Sequence, residues 1–323
     1  RDLTAKYREL VMAGRTHVQH ALPITFGMKT ASWLFELERH EERLEQIRDR
    51  LFIGQLSGAV GTLASMGDKG LAVQKRTMEI LGLGVTPVHW HAMRDHIAEF
   101  MNLLALIAGT LTRITHEVLS LQRTEIGELE EPFFMGKVGS STMPHKRNPQ
   151  VCENVIALCR CVRSQAPLAV ECMNVEFERD WSCEISEWDF VPSACIHLDA
   201  ALEKTLDILK NLIVYPDKME KNLNILHGIM LSESIMIHLA EKMGRLTAHE
   251  VVYETSMHAF ENQIPMADAL AANPKVMEHF SREEIERMLD PHTYLGLAGA
   301  SGANPLAVSF TPLTLPPERV VDR

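Results

Sequence analysis

Helical periodicity sustained over unusually long stretches most constrains this chain. From about Gly27 to Phe52, Trp33, Leu34, Leu37, Leu44 and Ile47 recur at three- and four-residue steps, with Glu and Arg filling the other face. Residues 92–126 repeat the pattern through Ile97, Leu103, Leu104, Ile107, Leu111, Ile114 and Val118. A helix over that stretch would reach about 50 Å at 1.5 Å per residue. Further helices are predicted over 150–173, 186–214, 217–243, 247–262 and 282–289. Strand signals are few, because β-branched residues do not alternate with polar ones between turn residues. The expectation is an all-α fold, a bundle of long helices with a smaller helical C-terminal domain. Tyr215-Pro216-Asp217 interrupts the pattern. The expected domains are therefore 1-213 and 214-323. From Ala298 onward the chain is rich in Gly, Pro and Leu and shows no clear period, which suggests an irregular tail.

Charge narrows the partners. The net charge is −11, and the 32 Lys and Arg are dispersed among 43 acids without a polybasic run. Nucleic acid is an unsuitable ligand for such a surface. No apolar run reaches the roughly 20 residues needed to span a bilayer, and no signal peptide is visible, so no membrane is expected. The six cysteines fall between Cys152 and Cys195, mostly at helical positions, and read as reduced thiols in a cytoplasmic protein. Cys159 and Cys161 would point to different faces of a helix. His89 and His91 lack a third ligand at a recognisable spacing, so no metal is expected.

Gly139 to Pro149 reads GSSTMPHKRNP. Two hydroxyls, a cation and an amide in a short loop bounded by Gly and Pro suit an anionic substrate. Upstream lies GRTHVQHALPITFG, Gly14 to Gly27. Together, and in this order, the two segments resemble the signatures of the fumarase/aspartase superfamily, with similarity of pattern running from about Arg1 to Gly296.

That resemblance implies cofactor-free elimination beside a carboxylate, in a homotetramer built on a five-helix core. It makes Ser140 the base, His17 the acid that protonates the leaving group, and Glu153 the carboxylate that orients the histidine. Lys146 and Asn148 would hold substrate carboxylates, Thr16 and Gln19 would flank the substrate, and Arg179 would clamp a carboxylate or simply pair with a nearby Glu. His20 could instead be a helix-face neighbour. The resemblance also implies a preceding domain with its own active-site segment, which has no counterpart in the sequence from Arg1 onward.

Substrate signals are shorter. Adenylosuccinate-using members typically carry Gln four residues before the Arg-Asp pair, where Trp90 stands here. They also carry Ser and Arg where Glu184 and Trp188 stand. An acid at a phosphate position disfavours a nucleotide. Gln19 to Pro23, the Trp90 segment and Ser186 to Pro192 are similar to the 3-carboxy-cis,cis-muconate cycloisomerase branch. The expectation is that cycloisomerase activity; the alternatives are a fumarate-releasing C–N lyase and an inactive crystallin-like scaffold.

Overall fold

The computed structural model describes residues 1–133, 142–143 and 145–299. Helix α1 (Asp2–Lys6) leads into strands β1 (Val11–Thr16) and β2 (Gln19–Thr25) and then α2 (Phe26–Leu51). Strands β3 (Ile53–Gly54) and β4 (Gly84–Val85) bracket α3 (Gly70–Leu81). Next come α4 (Asp95–Leu121), β5 (Leu129–Glu130), α5 (Gln150–Glu171), α6 (Trp181–Lys210) and β6 (Ile213–Val214). Six shorter helices follow: α7 (Pro216–Leu223), α8 (Ser232–Met243), α9 (Arg245–Asn262), α10 (Met266–Ala271), α11 (Pro274–Met277) and α12 (Arg282–Met288). The all-α expectation holds, with three small two-stranded sheets added.

The chain divides into two compact units. One joins residues Arg1–Leu34 to the chain from Pro216 onward, and the other is Phe35–Tyr215. The expected grouping of 1-213 differs, because the first 34 residues pack with the later helices.

In the Phe35–Tyr215 unit, α4, α5 and α6 pack on one another. The apolar stripe of α4 is buried through Met101, Leu104, Leu111, Ile114 and Val118, against Val155, Cys159 and Val162 of α5 and Phe190, Ala194 and Leu198 of α6. Each large apolar side chain buried in this way contributes about 1.5–3 kcal/mol. By length and hydropathy α4 could also cross a membrane, which corrects the expectation that no segment reaches that threshold. Half of its most apolar window is buried inside the protein, as a central bundle helix requires. Polar clamps tie α2 to α4: the Glu36 carboxylate accepts from Thr110 Oγ1 at 2.5 Å and from Arg113 Nε at 2.9 Å, and His40 Nε2 lies 2.8 Å from Thr110 Oγ1. Helix α6 starts five residues earlier than predicted because Asp180 caps it, its Oδ1 accepting the Ser182 N–H at 2.8 Å.

In the other unit, Val11 and Ala13 of β1 pack with Leu223, Met230 and Leu231. A second core gathers Leu239, Val251, Met266, Leu270 and Ile285 from α8, α9, α10 and α12. The single helix predicted over 217–243 is instead α7, a 3₁₀ turn (Ile229–Leu231) and α8. His227 and Gly228 break it with left-handed backbone, φ 47° and 88°.

Candidate active site

The Thr-His segment forms a β-hairpin. Strands β1 and β2 pair antiparallel with Thr16 opposite Gln19, leaving His17 and Val18 as a two-residue turn. Both have positive φ, 50° and 60°, as the turn favoured in such hairpins requires. That conformation suits Asn and Gly and strains a β-branched valine. Val18 is 90% exposed, so the strain is not offset by burial there, and strain of this kind clusters at functional sites. Thr16, His17 and Gln19 are exposed around the same turn.

Two glycines of the segment have steric reasons. A Cβ on Gly14, at the bulge in β1, would lie 2.5 Å from the Leu22 carbonyl oxygen. A Cβ on Gly27 would lie 2.6 Å from the Arg8 Cα, where the Gly27 N–H donates to Tyr7 O at 2.9 Å. His20 sits in β2 opposite Arg15, not on a helix as its spacing had allowed.

The second signature enters α5. Ser140 lies outside the described residues, while Lys146 and Asn148 lead directly into the helix and Glu153 is exposed in its first turn. Two buried neighbours that the sequence reading did not single out hold this stem. The Glu131 carboxylate accepts the N–H groups of Val151 and Cys152, each at 2.9 Å from Oε2, and so caps the positive end of the α5 dipole. Glu130 accepts from Arg147 Nη1 at 3.0 Å and from the Tyr215 hydroxyl at 2.5 Å. The bond to Glu130, and then burial, hold the Tyr215 hydroxyl above the ordinary tyrosine pKa. Gln122 ties the two anchors together, donating to Arg147 O at 3.1 Å and accepting the Glu131 N–H at 2.9 Å. The Arg147 guanidinium also lies 4.3 Å from the centre of the Phe133 ring. Arg147 is thereby committed to the scaffold. Lys146 and Asn148, on either side of it, line a cavity of about 600 Å³ with Glu130 and Tyr215.

Arg179 lines a different cavity, of about 390 Å³. Its guanidinium makes a two-pronged pair with Glu184, Nε to Oε1 at 2.8 Å and Nη2 to Oε2 at 2.9 Å. The pair raises the arginine pKa and lowers that of the glutamate. Arg179 thus takes the second reading left open for it, a pair with a nearby Glu. Deeper in the same cavity, Arg94 is buried and doubly bonded to Glu187, with Nε to Oε1 at 2.7 Å. His89 and His91 lie in a loop, their ring centres 5.3 Å apart. Among the described residues, no group of three His, Cys, Asp or Glu could hold a metal.

A family model described as Lyase matches residues 1–164, more than half of the chain, and one described as Adenylosuccinate lyase C-terminus matches residues 228–301. The chain belongs to the fumarase/aspartase superfamily of lyases. It is 42% identical over 295 residues to an N-acetyl-S-(2-succino)cysteine lyase of Enterococcus italicus, covering 91% of this chain and 65% of that protein. Identity is 43% over 300 residues to an adenylosuccinate lyase of Methanocaldococcus jannaschii, covering 92% and 65%. It is 38% over 299 residues to a 3-carboxy-cis,cis-muconate cycloisomerase of Pseudomonas aeruginosa, covering 93% and 65%. The chain therefore spans about two thirds of the length of these relatives. A crystal structure of a fumarate lyase from Mesorhizobium superposes with a TM-score of 0.89 at 37% identity, covering 95% of this chain and 69% of that one. A 3-carboxy-cis,cis-muconate lactonizing enzyme from Pseudomonas putida gives 0.88 at 36% identity, covering 94% and 68%.

Proposed function

We propose that the protein catalyses addition or elimination next to a carboxylate on a small polycarboxylate that carries no phosphate. In the elimination direction Ser140 takes the proton from the carbon beside the carboxylate, and the electron pair moves into that carboxylate as an aci-carboxylate. It returns to form the double bond as the leaving atom departs and takes a proton from His17. Lys146 and Asn148 hold the carboxylate while charge accumulates on it, which is where fixed donors lower a barrier most. Glu153 fixes the tautomer of the histidine, Thr16 and Gln19 flank the substrate, and the cavity that Arg179 lines, with Arg179 held by Glu184, receives its remote end. We place these groups in a homotetramer in the cytosol, where the free thiols of Cys159, Cys161, Cys172, Cys183 and Cys195 fit a reducing environment.

The observation that carries the choice of substrate is the pairing of both arginines in the 390 Å³ cavity with glutamates. A phosphate entering there would have to compete with carboxylates already in place. This argues against adenylosuccinate in spite of the 43% identity to a lyase of that name. Our first reading is 3-carboxy-cis,cis-muconate cycloisomerase, in which the substrate's own carboxylate adds across the double bond and closes a lactone. The 42% identity to a succinocysteine lyase favours a second reading, elimination of a thiol from a succinyl thioether.

Incubation with carboxymuconate, a succinyl thioether and adenylosuccinate, each followed by ultraviolet absorbance, separates these readings. Turnover of one of the first two is expected. Turnover of adenylosuccinate alone would overturn the proposal.

A further inference from the structure

The cavity of about 600 Å³ that Lys146 and Asn148 line also holds Arg123, a cation that the reaction as written does not use. Helix α4 ends at Leu121, and the chain turns back at once. The N–H groups of Ile126 and Gly127 both donate to Arg123 O, at 2.9 and 2.8 Å, and the Glu128 N–H returns to Leu121 O at 2.9 Å. Gly127 permits this turn with φ 63°. Gln122, the residue before Arg123, donates to Arg147 O at 3.1 Å. That bond ties residue 122 to residue 147, and their neighbours Arg123 and Lys146 both line the cavity.

Charge in the cavity is out of balance. Its described lining carries three permanent cations, Arg123, Lys146 and Arg147, against one carboxylate, Glu130. That carboxylate is already taken, since it accepts from Arg147 Nη1 at 3.0 Å and from the Tyr215 hydroxyl at 2.5 Å. Among the described residues neither Arg123 nor Lys146 makes an ion pair. In a chain whose net charge is −11, the surplus is local. One carboxylate would balance Lys146 and leave Arg123, whose planar fork matches a second. Leu119, Leu129 and Met143 line the same cavity and suit a hydrocarbon skeleton. A cation just beyond α4 also complements the negative end of the helix dipole, so the test must separate binding from stability.

We propose that Arg123 is a further substrate-binding residue, whose guanidinium takes a second carboxylate of the polycarboxylate. The proposal rests on the reading that Lys146 and Asn148 hold the first. Arg123 then makes the number of carboxylates a criterion of selection.

Binding is measured calorimetrically on the full chain with succinate, glutarate and adipate, each against the monocarboxylate of the same carbon number (butyrate, valerate and hexanoate), and against inorganic phosphate. At least one diacid should bind about tenfold or more tighter than its monoacid, the gain expected from one charge-assisted pair. That preference should vanish in Arg123→Gln, whose melting temperature and circular dichroism are recorded alongside. No preference in the parent, phosphate binding tighter than every diacid, or a preference that survives Arg123→Gln would overturn the assignment. A lower melting temperature with the preference intact would leave Arg123 only its place at the helix end and overturn it equally. Lys146→Gln tests the reading on which the proposal rests, and monoacid binding should fall there. Unchanged monoacid binding in Lys146→Gln, with a diacid preference that still depends on Arg123, would count against Lys146 and leave Arg123 standing.

Discussion

The two signature segments are held in opposite ways. The Thr-His segment presents His17 on an exposed two-residue turn whose backbone is strained at Val18. The stem of the serine loop is pinned from below: Glu131 caps α5, while Glu130 and Tyr215 immobilise Arg147 between Lys146 and Asn148. The difference fits the proposed tasks. Groups that hold a carboxylate while charge develops must not reorganise, whereas an acid that donates to a leaving group needs a ring free to exchange its proton.

The largest expected effect belongs to the hairpin. His17→Asn keeps a residue that tolerates positive φ and deletes only the imidazole, so kcat should fall by about 10²–10⁴-fold while the melting temperature stays within experimental error. A comparable loss of stability would show that the histidine is part of the scaffold. Glu131→Gln tests the other side of the comparison. It keeps the shape but removes the charge at the start of α5, and chemical denaturation should show a loss of about 1–2 kcal/mol, with KM rising as Lys146 and Asn148 lose their frame. Unchanged stability would mean that the stem does not depend on that cap.

Val18→Gly should go the other way. Relief of left-handed backbone at a non-glycine residue stabilises by about 1 kcal/mol in the same assay, less the entropy that glycine adds to the unfolded chain. Destabilisation would indicate that the valine is not strained.

The smallest effect comes from pH. Burial depresses the pKa values of His40, His91 and His96, all in the Phe35–Tyr215 unit. The unfolded chain therefore binds protons that the folded chain refuses once pH falls through the ordinary histidine value of about 6.5. Stability should be constant above that pH and decline below it, as thermal melts between pH 8 and about 5 would record. A flat profile would contradict the burial of these rings.

The long helices were legible because their apolar stripes are long: α2 was expected over 27–52 and runs Phe26–Leu51. The hairpin was not, for identifiable reasons. Its turn is His-Val, where Asn-Gly would have signalled the bend, and Pro23 lies in β2, where proline argues against a strand. Periodicity also ran through His227-Gly228, because a helix and a 3₁₀ turn keep similar spacing on either side of a local break. Glu130 and Glu131 gave one usable signal, adjacent acids between Leu129 and Pro132, but their partners Tyr215, Arg147 and Val151 lie far along the chain or in its backbone. Lys146, Asn148 and Glu153 could be placed at one helix entrance from the sequence, since a helix was predicted from residue 150, where α5 begins. For Arg179 the sequence left two readings open, a carboxylate clamp and a pair with a nearby Glu, and the start of α6 supplies Glu184 as that partner.

The most direct measurement is kcat for Ser140→Ala on whichever polycarboxylate the protein turns over, with KM and circular dichroism recorded alongside. If the serine removes the proton beside the carboxylate, kcat falls by about a hundredfold or more while KM and fold are retained. A variant that keeps the parent's kcat would contradict the account at its base.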